Sequence, residues 1–142
     1  MTTYYVNELS GLYSLPVVKP SATTGVGGRL RRYSGSITLN TQTTADTIVV
    51  AQIPAGADFA FGVITSSVSL GTSTVAIGYA GATGAYRAAA TFTATDTPTP
   101  FGVTAAVKAA PLLTEQQVFI TIGVASLPAS GTLVVDLYFA NV

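Results

Sequence analysis

Residues 118–139, VFITIGVASLPASGTLVVDLYF, decide the fold class of this chain. β-Branched and aromatic residues dominate Val118–Val124 and again Thr132–Phe139, and such residues favour strands. Residues 127–131 (Leu-Pro-Ala-Ser-Gly) form a turn sequence between the two runs, so the stretch predicts a C-terminal hairpin. Both alternating sets of side chains in the second run are apolar except for Asp136, which predicts a strand that is either central in the domain or covered by another subunit.

Short strands separated by turn signals extend back to residue 35. Thr47–Ile53, for example, is a β-branched run that stops at Pro54. Period-two patterns predict further strands around Ile37 and Leu39, with Phe59, Phe61 and Val63 on one face, with Val75, Ile77 and Tyr79 on one face, and from Tyr86 to Phe92. A further strand could run from Phe101 to Lys108. The Ala-rich residues 87–90 could also form a short helix, but we predict a strand.

These signals predict about eight short strands and no amphipathic helix. The possible capping box of Thr114 and Gln117 is followed by β-branched residues, which disfavour more than one helical turn. We therefore expect an all-β fold, an antiparallel β-sandwich, and the strand count also fits a jelly-roll-like arrangement.

The first 34 residues differ in sequence pattern from the rest of the chain. They predict an extended N-terminal arm (residues 1–34) before a sandwich domain (residues 35–142). The arm shows no sustained periodicity, Pro16 and Pro20 favour extended backbone, and residues 25–28 (Gly-Val-Gly-Gly) form a flexible joint. Its large apolar side chains are candidate interface residues: Tyr4, Tyr5, Leu12, Tyr13 and Leu15. The alternative interpretation is a first strand and loop of the domain itself.

Charge is scarce: 49% of the 142 residues are hydrophobic and only 8% are charged, against roughly 25% in an average globular protein. Such a chain uses Ser and Thr as its polar surface or covers its surface with partners, so we expect a homo-oligomer or a bound protein. A formal net charge of zero disfavours nucleic acid as a partner. We also expect no membrane partner, because no apolar run reaches roughly 18 residues, and no signal peptide at the first residues.

The residue types present disfavour an enzyme. The chain has no cysteine and no histidine, so it cannot form a disulfide, a Ser-His pair or a Cys-His pair, and a zinc site would lack its main ligands. A Ser-Lys pair would need Lys19 or Lys108, neither of which lies in a recognisable motif. The acidic residues that could form a calcium site are isolated in sequence: Asp46, Asp58, Asp96, Glu115 and Asp136. Asp96 and Glu115 are weak glycosidase candidates, and we expect no catalytic residue, metal or cofactor.

One cluster of charge stands out. Arg29, Arg31 and Arg32 supply half of the six basic residues. Guanidinium groups form paired hydrogen bonds with carboxylates, so the cluster is a candidate contact to an acidic partner surface. The alternative is an edge strand that uses charge to prevent unwanted pairing.

Three stretches resemble small virion structural proteins of tailed bacteriophages: residues 69–78 (SLGTSTVAIG), 85–90 (AYRAAA) and 125–135 (ASLPASGTLVV). The resemblance covers roughly residues 30–142 and rests on general composition and short stretches of sequence, not on a diagnostic motif. It implies a β-sandwich on the capsid or tail that has no catalytic residues and assembles as a trimer or another symmetric oligomer. The N-terminal segment matches least.

Together, the residues and the resemblance predict a capsid decoration (cement) protein that binds the major capsid protein or other virion proteins, with a trimer favoured. Its location would be the virion, assembled in the host cytoplasm. The first alternative is a tail, fibre or head-spike component that binds a receptor or a glycan. The second is a non-viral carbohydrate-binding domain in which Tyr79 and Tyr86 would stack on a sugar ring.

We further expect residues 1–28 to be dispensable for the fold but needed for assembly. Ordering the backbone costs roughly 1–2 kcal/mol per residue, so the apolar side chains of the arm stabilise a contact only if they lie in a preformed groove on a neighbour.

Overall fold

The computed structural model describes residues 16–17 and 28–140, and these residues form an almost entirely β structure. Its elements are, in order, β1 (Leu30–Thr38), β2 (Thr47–Ile53), β3 (Asp58–Ser66), β4 (Thr74–Tyr79), β5 (Ala82–Thr91), β6 (Thr99–Phe101), α1 (Thr104–Val107), β7 (Gln116–Gly123) and β8 (Thr132–Ala140). The strands pair into two antiparallel sheets: sheet I has the order β1-β8-β3-β6, and sheet II has the order β2-β7-β4-β5. The predicted antiparallel β-sandwich is confirmed. No helix in the described part of the chain is long and apolar enough to span a membrane.

The core lies between the two sheets because the strands alternate buried and partly exposed residues. In β8, the buried set is Leu133, Val135, Leu137 and Phe139, each at most 1% exposed. Val118, Ile120 and Ile122 of β7 form the corresponding buried set of sheet II. Of the two possibilities that the β8 pattern predicted, the structure shows a central strand: β8 pairs with β1 on one side and with β3 on the other.

The prediction of a C-terminal hairpin is wrong. β7 belongs to sheet II and β8 to sheet I, so the connection between them crosses from one sheet to the other. Leu127 in this connection is 2% exposed and part of the core. The connection is also held to the segment between β1 and β2, since the Leu127 amide donates to the Gln42 carbonyl (2.9 Å) and the Leu39 amide to the Gly131 carbonyl (2.8 Å).

A β-bulge changes which residues of β3 face the core. Phe59 is opposite Phe139 and Phe61 is opposite Tyr138, so Ala60 is an extra residue on the β3 side. Beyond the bulge the alternation is reversed: Ile64 is buried, whereas Phe61 is 37% exposed on the other side of the sheet. The prediction that Phe59, Phe61 and Val63 share one face is therefore wrong.

The predicted strand from Phe101 to Lys108 is replaced by the end of β6 and a single helical turn. α1 is closed by backbone hydrogen bonds from Val107 to Val103 (3.1 Å) and from Lys108 to Thr104 (3.0 Å). Alanine, the residue with the highest helix propensity, occupies positions 105 and 106. The alternating apolar residues of this segment therefore resemble the sequence pattern of a strand, but its backbone hydrogen bonds are those of a single helical turn.

The Ala-rich residues 87–90 form part of strand β5, as predicted. The ladder between β4 and β5 shifts register twice, and the Arg87 guanidinium donates to main-chain carbonyls of both strands, at Val75 and at Ala90 and Thr91. Burial lowers the pKa of Arg87. This side chain satisfies carbonyl groups that the irregular ladder leaves available.

β1 begins at Leu30, inside the segment predicted to be the N-terminal arm. Leu30 is paired with Ala140 and Ser34 with Asp136, so residues 30–34 belong to sheet I. The candidate residues Tyr4, Tyr5, Leu12, Tyr13 and Leu15 lie outside the described residues.

Candidate partner-binding surfaces

The three arginines proposed as a partner contact lie at the beginning of the edge strand of sheet I. Arg29 precedes β1, Arg31 and Arg32 lie within it, and all three are exposed. Nη2 of Arg32 donates to Oδ2 of Asp136 on the neighbouring β8 at 2.8 Å. This hydrogen bond, and secondarily the charge of Asp136, raise the pKa of Arg32. Arg32 is thus engaged within its own sheet, and Arg29 and Arg31 are the better candidates for contacts to a partner.

The outer face of sheet I, which we define by Leu30, Phe61, Val63, Val134 and Tyr138, is rich in large apolar side chains. Leu30 is 55% and Phe61 37% exposed, and the other three side chains are partly exposed. The rings of Phe61 and Tyr138 stack with centroids 4.5 Å apart. Arg32 and Asp136 neutralise one another beside this pair. Aromatic groups with little net charge are typical of the centre of a protein–protein interface.

A pocket of about 260 Å³ opens at one end of the sandwich, and we call it the end pocket. Aromatic rings form part of its lining: Phe59 lies 4.4 Å from Tyr86 and 5.4 Å from Phe139, measured between ring centroids. Small side chains line much of the remainder: Ala57, Ala85, Ala105, Ala106, Ala109 and Ala110. The pocket is therefore apolar and is narrowed by few large side chains.

Two backbone hydrogen bonds hold the helical wall of the end pocket in place. Before α1, the Val103 amide donates to the Tyr86 carbonyl (3.1 Å). After α1, the Leu112 amide donates to the Ala57 carbonyl (2.8 Å). The wall is thus joined to β5 on one side and to the β2–β3 connection on the other.

Tyr86 is the central polar group of the end pocket. It is 3% exposed, and its hydroxyl donates to Oε1 of Gln116. Burial, and secondarily the neighbouring Tyr79, raise the pKa of Tyr86 to about 12. Phe59, Phe139 and Tyr79 surround its ring at centroid distances of 4.4, 5.8 and 6.0 Å. Tyr86 therefore offers no open ring face, which argues against the sugar-stacking role considered for Tyr86.

The two carboxylates considered for glycoside hydrolysis lie at opposite ends of the sandwich. Glu115 precedes β7 and accepts a hydrogen bond from the Gln52 side chain. Thr74 is paired both with Gly123, the last residue of β7, and with Thr91, the last residue of β5. Asp96 follows Thr91 by five residues and so lies beyond this other end of β7. A strand of 8 residues is about 25 Å long, whereas glycosidase carboxylates are about 5–10 Å apart. Within the described residues, no group of three or more acidic side chains could hold a metal ion.

Sequence reasoning missed both apolar surfaces. The end pocket combines residues from β3, β4, β5, α1 and β8 that are far apart in the chain. The Phe61–Tyr138 pair depends on the bulge at Ala60. The one sequence signal was the second apolar set of β8, Val134 and Tyr138, which the structure places on the outer face of sheet I.

Comparison with known proteins finds the same fold in phage capsid structures. A chain of the cyanophage Pam1 capsid asymmetric unit is 23% identical with a TM-score of 0.64, covering 89% of this chain and 95% of the other. A chain of the capsid of Ralstonia phage GP4 is 16% identical with a TM-score of 0.66, covering 81% and 86%. A chain of the acid-stable capsid of Helicobacter pylori bacteriophage KHP30 is 11% identical with a TM-score of 0.58, covering 78% and 86%. No family model and no curated protein matches this sequence.

Proposed function

We propose that this chain is a structural virion protein of a tailed bacteriophage, and specifically a capsid decoration (cement) protein that stabilises the head shell through protein–protein contacts. The observation that carries the proposal is the shared fold with chains of three phage capsid structures. The likeness covers between 86% and 95% of those chains, so it concerns a whole unit and not a fragment of a larger fold.

The strand order supports the same assignment. β1 pairs with β8, β2 with β7, β3 with β6 and β4 with β5, which is the pairing expected when one long hairpin folds across itself. We infer a jelly roll from this nested order, an architecture that recurs in viral capsid domains and in lectins.

The surface that we assign to the shell is the outer face of sheet I together with the adjoining edge strand β1, where Arg31 points to the opposite side from Arg32 and Arg29 precedes the strand. A contact that covers the stacked Phe61 and Tyr138 is stabilised because it removes apolar surface from water. The two arginines can pair with carboxylates of a capsid subunit. The scarcity of charge, 8% of all residues, is consistent with a chain that buries much of its surface in an assembly. We expect a homo-oligomer, with a trimer favoured.

The decisive experiment adds the purified protein to head shells assembled from the major capsid protein encoded with it. Saturable co-sedimentation at a fixed ratio, together with a higher temperature of shell disruption, is the expected result. An unrelated β-sandwich protein of similar size is the control for trapping in the pellet. If the protein ignores the shells but binds purified tails or a glycan array, it is a tail or receptor-binding component and the decoration role is wrong.

A further inference from the structure

The end pocket has the size and the chemistry of a receptor for one side chain. Its volume of about 260 Å³ lies just below the range of about 300–1,000 Å³ that is usual for small-molecule sites. Phe59, Tyr86 and Phe139 form the aromatic part of the lining, and the alanines of the α1 wall leave room for an apolar group to enter. Tyr79 and Gln116 add polar atoms that could accept or donate a hydrogen bond.

The chain that precedes the sandwich enters at the same end of the molecule as this pocket. β1 begins at Leu30, which is paired with Ala140, and Ala140 follows the pocket residue Phe139. The N-terminal segment, which we define as residues 1–15, carries Tyr4, Tyr5, Leu12, Tyr13 and Leu15. Its single charged side chain is Glu8, opposite in sign to the exposed Arg29 and Arg31 at this end of sheet I.

The connecting residues favour a neighbouring copy over the same molecule. Residues 16–27 include Pro16 and Pro20, which favour extended backbone, and at full extension they span at most ~40 Å. Val17, two residues after the end of the N-terminal segment, is 57% exposed. Extended backbone over these residues is long enough for the segment to reach a neighbouring copy.

We propose that the end pocket binds a large apolar side chain of the N-terminal segment of a second copy of this chain. Each copy then gives one segment and receives one, and the homo-oligomer is closed when two copies exchange segments or when the rotation between successive copies closes a ring. The contact needs no capsid shell, and its test is separate from that of the decoration role.

The chain contains no cysteine, so engineered pairs of cysteines test the contact in the full-length protein. One protein carries Tyr5→Cys, Leu12→Cys or Leu15→Cys in the N-terminal segment, and the other carries Ala105→Cys on the pocket wall. Ala129→Cys, at an exposed position at the opposite end of the sandwich, is the matched control. After mixing and mild oxidation, we expect a disulfide-linked dimer with Ala105→Cys for at least one segment position, and none with Ala129→Cys.

Two results would overturn the proposal. The first is that no segment position cross-links to Ala105→Cys more than to Ala129→Cys. The second is that the disulfide forms only when both cysteines lie on one chain, which would mean that each pocket binds its own segment.

A pocket-filling substitution provides a second measurement. Ala105 is exposed and lines the pocket, so Ala105→Leu should narrow the pocket without disturbing the core, whereas Ala129→Leu is the matched change at the other end. We expect Ala105→Leu to weaken self-association about tenfold or more in sedimentation, with an unchanged unfolding transition. Equal association constants for the two leucine variants would contradict the proposal.

Discussion

The ring of Phe61 on β3 stacks on the ring of Tyr138 on β8, with centroids 4.5 Å apart and planes inclined by 12°, on the outer face of sheet I. Aromatic residues are expensive to leave in water, yet this pair stands on the surface of the sandwich. It sits beside the Arg32–Asp136 ion pair, which leaves the patch without net charge. This arrangement makes the outer face of sheet I the first candidate surface for binding a protein partner.

Replacing Phe61 should affect binding as well as folding. Phe61→Ser removes a stacked pair worth about 0.5–1.5 kcal/mol and the apolar area that this side chain buries, so the free energy of unfolding should fall by about 1–3 kcal/mol. Binding to head shells should weaken by about tenfold or more, because the centre of the apolar patch is lost. The control is Val49→Ser on sheet II, where Val49 is 55% exposed. Equal shell binding by the two serine variants would exclude the outer face of sheet I as the contact.

The hydroxyl of Tyr86 should make the protein sensitive to alkali. Because its pKa rises from 10.0 to about 12 on folding, the unfolded chain loses this proton first, and stability decreases as the pH rises above 10. The decrease by pH 12 should approach about 2–3 kcal/mol. Urea unfolding of the wild type and of Tyr86→Phe should give a steeper loss for the wild type above pH 10. Parallel curves would show that Tyr86 is not buried as described.

At neutral pH, Tyr86→Phe should cost about 1 kcal/mol, because the hydrogen bond to Gln116 is lost while the ring stays in place.

Val124 should be one of the positions where glycine stabilises this fold. Its φ of +67° is rare for a β-branched residue, and the Ala125 amide donates to the Gly123 carbonyl at 2.8 Å, which closes a γ-turn around it. The side chain is 79% exposed, so little packing is lost on its removal. We expect Val124→Gly to raise the free energy of unfolding by about 0.5–1 kcal/mol. Val49→Gly, in extended backbone, should lower the free energy of unfolding. If thermal unfolding showed Val124→Gly to be less stable than Val49→Gly, the backbone at Val124 would not be strained.

The carboxyl groups of Asp58 and Asp46 should change the pH dependence of stability in opposite directions. Burial raises the pKa of Asp58, although Lys108 opposes this, and one of its oxygens is buried without a hydrogen-bond partner among the described residues. Its contribution to stability is therefore lost as the pH rises above 3.8 through its folded pKa. We expect Asp58→Asn to be more stable than the wild type at pH 7, with the difference disappearing in strong acid.

Asp46 provides the contrast. Hydrogen bonds from the Thr43 amide (2.7 Å) and hydroxyl (3.0 Å) lower its pKa, so its contribution is present above 3.8 and is lost as the pH falls through its folded pKa. Asp46→Asn should therefore be less stable than the wild type at pH 7. Thermal unfolding midpoints measured from about pH 2 to 7 test both signs, and the same direction for both variants would show that one assignment is wrong.

A chain that begins at Arg29 tests the role of the arm. Because β1 begins at Leu30, this truncation leaves every described strand intact, and we expect an unchanged thermal transition. Self-association and attachment to the partner should be lost. If the truncated chain unfolds instead, the N-terminal segment is an integral part of the domain.

Period-two alternation was enough to predict most of the strands. β-Branched residues that alternate with polar ones, as in Gln116–Gly123, fit a pleated and half-buried surface, and prolines and glycines mark where such strands end. The interpretation failed where a single residue or a single turn changes the alternation. The extra Ala60 moved Phe61 to the outside, and one turn of α1 replaced the alternating residues after Phe101.

The fold class, the near absence of helix and the lack of histidine and cysteine chemistry could be read from the residues alone, because they follow from residue type and local period. The tertiary structure determines which strands pair, since β7 and β8 are adjacent in the chain yet lie in different sheets. It also created the two apolar surfaces, the outer face of sheet I and the end pocket. Each joins residues far apart in the chain, and such contacts depend on how the sheets cross and where a bulge shifts the register, which local periodicity does not encode.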